Sequence, residues 1–152
     1  MSQEVAKIAH RTSPNYVPNS DTIHVAIAIY DPSGKYSSYA GALMVCVFEH
    51  TTSPVMFHVF HDDTLTQDNR QKFIRTAEKY SQTVNFIDIT KYKALISSRL
   101  EEMSGQYTIG TLFRMFMPDE LPALDKVIYF DIDLMISLDI KELWDIDLEG
   151  NL

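Results

Sequence analysis

The sequence predicts an α/β fold with a mostly parallel sheet flanked by helices. Four short apolar segments are typical of strands, and segments with helical character separate them. Strands that alternate with helices indicate βαβ units with right-handed crossovers. Carboxylates follow three of the predicted strands, at Asp31, at Asp62 and Asp63, and at Asp131 and Asp133. Because ligands of such sheets lie beyond the carboxyl ends of the strands, these residues are the first candidates for a site.

The first part of the chain predicts a flexible segment, a strand and a helix. Residues 1–21 contain Pro, Asn and Ser without periodicity, so we expect a flexible lead-in before a domain over residues 22–152. The β-branched, apolar segment Ile23–Tyr30 predicts a buried strand. Tyr39–His50 favours a buried helix, although its periodicity alone does not separate a helix from a strand.

The remaining elements continue the same alternation. Val55–His61 predicts the second strand, and the next helix is expected to begin at Thr66, or at Thr64 with Gln67 as a capping box. The other predicted elements are a strand over Val84–Ile89, a helix over about Gln106–Met117 ended by Pro118, a strand over Lys126–Asp131, and a short helix with Asp139 and Glu142 at its capped start.

Charge and composition exclude several classes of protein. The net charge is −8 and there is no basic stripe, so nucleic acid is not expected as a partner. The longest uncharged apolar stretch, residues 39–48, is ten residues long and too short for a transmembrane segment. The single cysteine, Cys46, excludes an intrachain disulfide, and residues 1–21 lack the apolar core of a signal peptide. We therefore expect a cytoplasmic protein.

Asp131 and Asp133 form the most informative pair. On a strand, residues two apart point to the same face about 6–7 Å from each other, so two carboxylates would repel by roughly 2–3 kcal/mol at an effective dielectric constant near 20. Mn²⁺ or Mg²⁺ would offset this repulsion, as would a shared proton or full solvation at the end of the strand. Carboxylates at neighbouring strand ends favour the metal or another polar ligand.

The stretch VIYFDIDLMISLDIKELWDIDL, residues 127–148, resembles the core signature of glycosyltransferase family 8. These enzymes are retaining nucleotide-sugar transferases with the GT-A (Rossmann-like) fold. Residues 23–36 resemble the first strand and loop of the family, residues 57–73 resemble its second strand and helix, and residues 111–133 resemble its segment in which an Arg precedes the Asp-x-Asp strand. The resemblance covers about Ile23–Leu152. It implies transfer of glucose or galactose from a UDP-sugar to a saccharide or glycoconjugate acceptor.

The resemblance also implies roles for five residues. Asp131 and Asp133 would bind Mn²⁺ or Mg²⁺ against the donor diphosphate, and Asp131 would also contact the ribose. Arg114 would place its planar cation near the donor sugar or phosphates. Asp31 would accept a hydrogen bond from the uracil, and Tyr36 would stack on the base.

Each of these roles has a structural alternative. Arg114 could extend from an apolar helix to solvent. Tyr36 could be an ordinary loop residue, and Asp31 could form an Asx turn before Pro32. His58 and His61 are three apart on a predicted strand and therefore point to opposite faces, so we do not expect them to share a metal.

The sequence departs from the family pattern in two places. The loop YDPSGKY is longer than the corresponding turn of the family, and Tyr30 stands where an acidic residue is common. The chain also ends 19 positions after Asp133, before the family's His-x-x-Gly-x-x-Lys-Pro-Trp segment. We therefore expect only the donor-binding half of the enzyme, with uncertain activity by itself. We also expect an exposed apolar surface that could support a homodimer.

Two other functions stay open from the sequence. An apolar strand followed by Asp-x-Asp also occurs in phosphatases of the haloacid-dehalogenase type, in which Asp131 would be the nucleophile. A non-catalytic nucleotide-binding or assembly fragment is the second alternative.

Overall fold

The computed structural model describes residues 21–102 and 109–148, and for residues 99–102 it describes the backbone alone. Apart from Asp21, the predicted flexible segment over residues 1–21 therefore lies outside the described residues. No helix in the described ranges is long and apolar enough to cross a membrane.

The described strands form one four-stranded sheet in the order β3-β2-β1-β4, and every neighbouring pair is parallel. The strands are β1 (Ile23–Ile29), β2 (Val55–His61), β3 (Thr83–Asp88) and β4 (Ile128–Tyr129). The predicted parallel α/β fold is thereby confirmed. The strand predicted over Lys126–Asp131 is shorter than expected, because only Ile128 and Tyr129 pair with β1.

Six helices lie between and after these strands in the described part of the chain. They are α1 (Tyr36–His50), α2 (Gln67–Lys79), α3 (Lys93–Glu102), α4 (Ile109–Leu112), α5 (Met117–Glu120) and α6 (Ile140–Trp144), with 3₁₀ turns at Thr90–Tyr92 and Phe113–Phe116. Helix α1 begins three residues before the predicted start at Tyr39. Helix α3 was not predicted from the sequence, because among its described side chains only Ile96 is buried and the others are exposed.

The caps of two helices follow the sequence. Thr66 is the N-cap of α2, and its hydroxyl accepts a hydrogen bond from the Asn69 backbone N–H at 3.3 Å. The alternative capping box from Thr64 is wrong, because the Thr64 hydroxyl accepts a hydrogen bond from the Asp31 N–H and donates one to the Asp62 carboxylate. Asp139 caps α6 by accepting a hydrogen bond from the Lys141 backbone N–H at 2.9 Å.

The helix predicted over Gln106–Met117 is the main correction to the predicted elements. Residues 106–108 lie outside the described residues, and the rest is divided into α4, a 3₁₀ turn and α5. Pro118 lies in the first turn of α5 instead of ending a helix. A proline is tolerated there because the first N–H groups of a helix have no intrahelical partner.

The sheet carries a hydrophobic core on each face. Alternate residues of β1, namely Ile23, Val25, Ile27 and Ile29, pack with the apolar sides of α1 and α2. Ala26 belongs to the core on the other face, with the four buried residues Leu112, Phe113, Phe116 and Met117 of the segment from α4 to α5. The broken helical segment therefore covers the face of the sheet opposite α1 and α2.

A buried carboxylate begins helix α1. Asp31 is 2% exposed, and its oxygens accept hydrogen bonds from the backbone N–H groups of Tyr36 and Ser37 at 3.0 and 2.9 Å. The Ser37 hydroxyl donates a third at 2.5 Å. The Asp31 N–H in turn donates to the Thr64 hydroxyl at 2.8 Å, and that hydroxyl donates to the Asp62 carboxylate at 2.6 Å. The ends of β1 and β2 are thereby tied to each other and to α1.

A buried polar group lies on the face of the sheet opposite the α1 core. The rings of His24 and His58 stack with centroids 5.2 Å apart, and His24 Nδ1 lies 3.0 Å from His58 Nε2. The Asn85 side-chain nitrogen lies 3.2 Å from His58 Nδ1. Burial lowers the pKa of both histidines. Burial and the repulsion that a protonated His24 would exert lower the pKa of His58 to about 3. Both rings are therefore neutral at pH 7.

Removing the Asp31 carboxylate should destabilise the protein. Asp31→Ala leaves three donors at the start of α1 without their acceptor, so we expect the free energy of unfolding to fall by about 1–3 kcal/mol. Asp63→Ala is the matched control, because Asp63 is an exposed strand-end carboxylate whose ion pair with Lys93 is screened by water and should contribute little to stability. Urea unfolding followed by the fluorescence of the single tryptophan, Trp144, measures both variants. Equal losses of stability in the two variants would contradict the capping role of Asp31.

The buried histidines should make the protein sensitive to acid. Below pH 6.5 the unfolded chain binds protons that the folded protein excludes from His58, so stability should fall as pH decreases from about 6 to 4. His58→Gln should reduce this slope by up to about 1.4 kcal/mol per pH unit. His50→Gln is the control, because His50 is exposed on α1. Urea unfolding at pH 4, 5, 6 and 7 measures the slopes. A His58→Gln slope equal to that of the wild type would show that the histidine does not carry the effect.

Candidate functional site

A cleft of about 410 Å³ lies beyond the carboxyl ends of β1 and β4. It is lined by the end of β1, the loop and first residue of α1, the segment from α4 to the following 3₁₀ turn, and the residues that follow β4. Four of the five predicted site residues line it, namely Tyr36, Arg114, Asp131 and Asp133. The location is the one expected for a ligand of a parallel sheet.

Strand β4 positions the two carboxylates. Ala26 of β1 pairs with Tyr129, and the Phe130 N–H still donates to the Ala26 carbonyl at 3.0 Å. Phe130 then packs into the α1 core, whereas Tyr129 lines the cleft. The chain leaves the sheet at this point, so Asp131 and Asp133 are exposed and keep their hydration.

Asp131 already has partners in the cleft. Its Oδ1 atom accepts hydrogen bonds from Arg114 and from the Tyr129 hydroxyl, each at 3.1 Å. The side chains of Arg114 and Asp131 are 42% and 57% exposed, so their ion pair is worth about 0–1 kcal/mol and a ligand can replace it at little cost. Neither the other Asp131 oxygen nor Asp133 makes a hydrogen bond to the described residues.

Arg114 turns into the cleft. Its guanidinium carbon lies 4.5 Å from the centroid of the Tyr129 ring, and its Nε donates to the Thr111 carbonyl at 3.1 Å. The neighbours Phe113 and Phe116 are buried in the core and fix the 3₁₀ turn that carries Arg114. Simple extension to solvent therefore does not describe this side chain.

Tyr36 and Asp31 have different environments. The Tyr36 side chain lines the cleft and is 47% exposed, with the Tyr39 ring edge-on at 6.1 Å. Asp31 does not line the cleft, because its carboxylate accepts the hydrogen bonds that begin α1. These contacts give Asp31 a structural role at the start of α1, and not the Asx turn before Pro32 that was the alternative. Its contact with uracil stays a prediction.

The carboxylates that follow β2 are also separate from the cleft. Asp62 is 4% exposed and accepts hydrogen bonds from the Thr64 N–H and hydroxyl at 3.0 and 2.6 Å, and Asp63 forms an ion pair with Lys93 at 3.2 Å. The carboxylates of all three strand ends lie at the carboxyl edge of the parallel sheet, as predicted, but of these only Asp131 and Asp133 line the cleft.

The histidines of β2 point to opposite faces, as predicted. His58 contacts His24, whereas the His61 ring packs edge-on against Phe86 at 6.0 Å, and Arg70 lies 3.2 Å from His61 Nδ1. Burial lowers the pKa of His61, which keeps this ring neutral as well. The two histidines therefore belong to the interior of the sheet and not to the cleft.

The fit of a divalent metal depends on its other ligands. Among the described residues, no group of three or more His, Cys, Asp and Glu side chains could hold a metal. Asp131 and Asp133 offer two carboxylates on one cleft, and Mg²⁺ is usually bound by one or two carboxylates together with water and substrate phosphates. The donor set therefore fits a metal that is shared with a phosphorylated ligand, rather than a cage made only of protein groups.

Tyr129 is a lining residue with a polar contact to the site that was not predicted from the sequence. Burial raises its pKa to about 12, against the opposing charge of Arg114, so the phenol is a hydrogen-bond donor at neutral pH. Its position two residues before Asp131 was the available signal, because side chains two apart on a strand share a face.

The chain is similar to known glycosyltransferases. The family model described as "Glycosyl transferase family 8" matches residues 24–152. The chain is 29% identical over 133 residues to "Probable galacturonosyltransferase-like 3" of Arabidopsis thaliana, covering 86% of this chain and 37% of that protein. It is 28% identical over 134 residues to "Probable UDP-glucose:glycoprotein glucosyltransferase A" of Dictyostelium discoideum, covering 87% of this chain and 8% of that protein.

A solved structure has the same fold. The apo structure of the WbbM bifunctional glycosyltransferase superposes with a TM-score of 0.68 at 20% identity, covering 88% of this chain and 22% of that chain. The chain thus spans less than two fifths of the length of each of these proteins. Because the family model matches 24–152 of its 152 residues, the chain belongs to glycosyltransferase family 8.

Proposed function

We propose that this chain is the donor-binding part of a glycosyltransferase that moves a hexose from a UDP-sugar to a saccharide or glycoconjugate acceptor, with Mn²⁺ or Mg²⁺. The observation that carries the proposal is the juxtaposition of Tyr36, Arg114, Asp131 and Asp133 in one cleft at the carboxyl edge of a parallel sheet. An aromatic ring, a guanidinium and two carboxylates are the groups that a base, a diphosphate and a divalent cation require.

The charges of the cleft explain why a cation is needed. Among its described lining residues, Asp131 and Asp133 are negative and only Arg114 is positive. These side chains alone would repel a diphosphate. When bound, the metal ion would reverse the sign of the site and offset the charge that grows on the diphosphate as the glycosidic bond breaks.

Arg114 supplies the positive charge of the chain itself. Its weak pair with Asp131 holds the guanidinium in the cleft before a ligand is present. Planar guanidinium N–H groups match pairs of phosphate oxygens as well as pairs of carboxylate oxygens. A diphosphate carries more negative charge than one carboxylate, so it can replace Asp131 as the partner of Arg114. Fixed donors of this kind stabilise a leaving group without reorganisation during the reaction.

Tyr36 supplies the surface for the base. Its ring is half exposed at the entrance to α1, whose backbone Asp31 holds in place. We propose that uracil stacks on this ring, and that the contribution of Asp31 is to fix the helix on which Tyr36 stands.

The donor sugar and the acceptor are proposed as classes. The Dictyostelium relative is named for UDP-glucose, which supports a UDP-sugar and glucose. The plant relative is named for galacturonosyl transfer, which adds galacturonic acid to the expected glucose and galactose. Membership of the glycosyltransferase family sets aside the phosphatase alternative. A non-catalytic nucleotide-binding or assembly fragment stays the second candidate.

Two further expectations from the sequence are kept as proposals. Several large apolar side chains just before, within and just after α6 in the sequence are exposed, and the most exposed is Met135 at 84%. We propose this surface as the contact of a homodimer. We also retain a cytoplasmic location, because Cys46 is the single cysteine and is free.

UDP binding should depend on Mn²⁺ and on the carboxylates after β4. We expect calorimetry to detect UDP binding in the presence of Mn²⁺, and Asp131→Asn or Asp133→Asn to weaken it at least about tenfold, since even the loss of a supporting group costs that much at metal sites. Asp63→Asn is the matched control, because Asp63 lies at another strand end outside the cleft. Binding of UDP by the wild type without any dependence on Mn²⁺ would contradict the proposal.

Arg114 should contribute to binding of the diphosphate and not of the nucleoside. Arg114→Ala should weaken Mn²⁺–UDP binding about tenfold or more, because a hydrogen bond to a charged group contributes about 1.5–3 kcal/mol. Its effect on uridine should be much smaller. Arg75→Ala, on the exposed side of α2, is the control. Equal losses of affinity for UDP and uridine would place Arg114 at the base instead of the phosphates.

A further inference from the structure

We infer that Tyr129 is a positioning residue of this site, which orients the Asp131 carboxylate through its hydroxyl and supports the Arg114 guanidinium with its ring. The inference rests on the proposed metal–diphosphate site and assigns a role to a residue outside the Asp-x-Asp pair. It identifies the side chain that keeps Asp131 oriented when the ligand takes Arg114 away.

The sheet fixes the backbone of Tyr129. Its backbone pairs with Ala26 at the last ladder position of β4. The next residue, Phe130, is buried in the α1 core and makes one more hydrogen bond to Ala26. On the Tyr129 side of the sheet, β1 presents Ala26 and Ala28, and their small side chains leave room for a phenol ring beside the strand. Tyr129 is therefore a fixed support for two exposed side chains, Arg114 and Asp131.

Three contacts connect Tyr129, Arg114 and Asp131 to one another. The Tyr129 hydroxyl and Arg114 both donate to Asp131 Oδ1 at 3.1 Å, and the guanidinium lies over the phenol ring at 4.5 Å. Both donors converge on one oxygen, and Oδ2 makes no hydrogen bond within the described part of the chain. This arrangement presents Oδ2 to a ligand and leaves a second carboxylate, Asp133, beside it in the same cleft.

The two donors to Asp131 differ in what a bound ligand does to them. Arg114 is cationic, so a metal ion held by Asp131 would repel it and the phosphates would attract it. The Tyr129 hydroxyl is neutral, so it can donate to one carboxylate oxygen while the other binds a cation. Hydrogen bonds of this kind orient metal ligands and raise their affinity for the metal. Tyr129 is thus the donor that stays with Asp131 in the bound state.

Tyr92 provides an internal comparison. Its hydroxyl donates to the Glu120 carboxylate at 2.7 Å and its ring stacks on Phe116 at 4.0 Å, so it also combines a packed ring with a hydrogen bond to a carboxylate. Tyr92 does not line the cleft. Loss of its hydroxyl measures the structural effect of such a bond without the effect on the site.

The experiment compares Tyr129→Phe with Tyr92→Phe in Mn²⁺ and nucleotide binding. Free Mn²⁺ is measured by electron paramagnetic resonance in the presence of UDP, and uridine binding without metal is measured by calorimetry. Tyr129→Phe should weaken Mn²⁺ binding by about 10–100-fold and leave uridine binding unchanged. Tyr92→Phe should leave both unchanged. Tyr129→Leu, which also removes the ring beneath Arg114, should show at least the same loss for Mn²⁺ and a larger loss of Mn²⁺-dependent UDP affinity than Tyr129→Phe.

The outcomes separate this inference from the function on which it rests. If the wild type binds no Mn²⁺ with UDP, the proposed function and the role of Tyr129 both fail. If the wild type binds Mn²⁺ and UDP and Tyr129→Phe binds them equally well, only the role of Tyr129 is overturned. A parallel loss of uridine binding in Tyr129→Phe would assign the residue to the packing of the domain and would also overturn the inference. Trp144 fluorescence during urea unfolding verifies that each variant is folded.

Discussion

The pairing of the two-residue strand β4 with β1 is the interaction on which the candidate site depends. Two ladder positions, Val25 with Ile128 and Ala26 with Tyr129, set the register of everything that follows in the chain. Because side chains alternate across the sheet, this register sends Phe130 into the α1 core and leaves Tyr129 on the cleft side. A shift of one residue would exchange the two, so the buried Phe130 ring specifies the position of both carboxylates beyond it.

The electrostatics of the cleft suit a ligand that brings its own charges. In the free protein, Arg114 and Asp131 offset each other in an exposed pair, whose contribution to stability is small because water screens it. The buried Asp31 carboxylate has a different role, because it accepts three hydrogen bonds from Tyr36 and Ser37 at the start of α1. The buried carboxylates of Asp31 and Asp62 thus serve the structure, whereas the exposed carboxylates of Asp131 and Asp133 are accessible to a ligand.

The sequence predicted the sheet well because its signal is local. Apolar β-branched segments gave β1 and β2 nearly to the residue, and the strand–helix alternation gave their parallel direction. The segment near Arg114 was harder, since Phe113 and Phe116 are three apart and pack as a 3₁₀ turn against the second core. The start of α1 was also misplaced, because Tyr36 and Ser37 join the helix through a contact with Asp31 across the loop.

The candidate site was likewise predictable only where its signal is local in the sequence. The Asp-x-Asp pair and Arg114 were readable from a motif, whereas the cap at Asp31 and the contact of Tyr129 with Arg114 depend on tertiary structure.

A crystal structure of the chain with Mn²⁺ and UDP, with anomalous data at the manganese edge, tests the central claim most directly. We expect one anomalous peak within bonding distance of the Asp131 and Asp133 carboxylates and of the diphosphate. The Arg114 side chain should have turned from Asp131 to the phosphates. A peak elsewhere, or UDP bound with the pair of Arg114 and Asp131 intact and no metal beside it, would contradict the account.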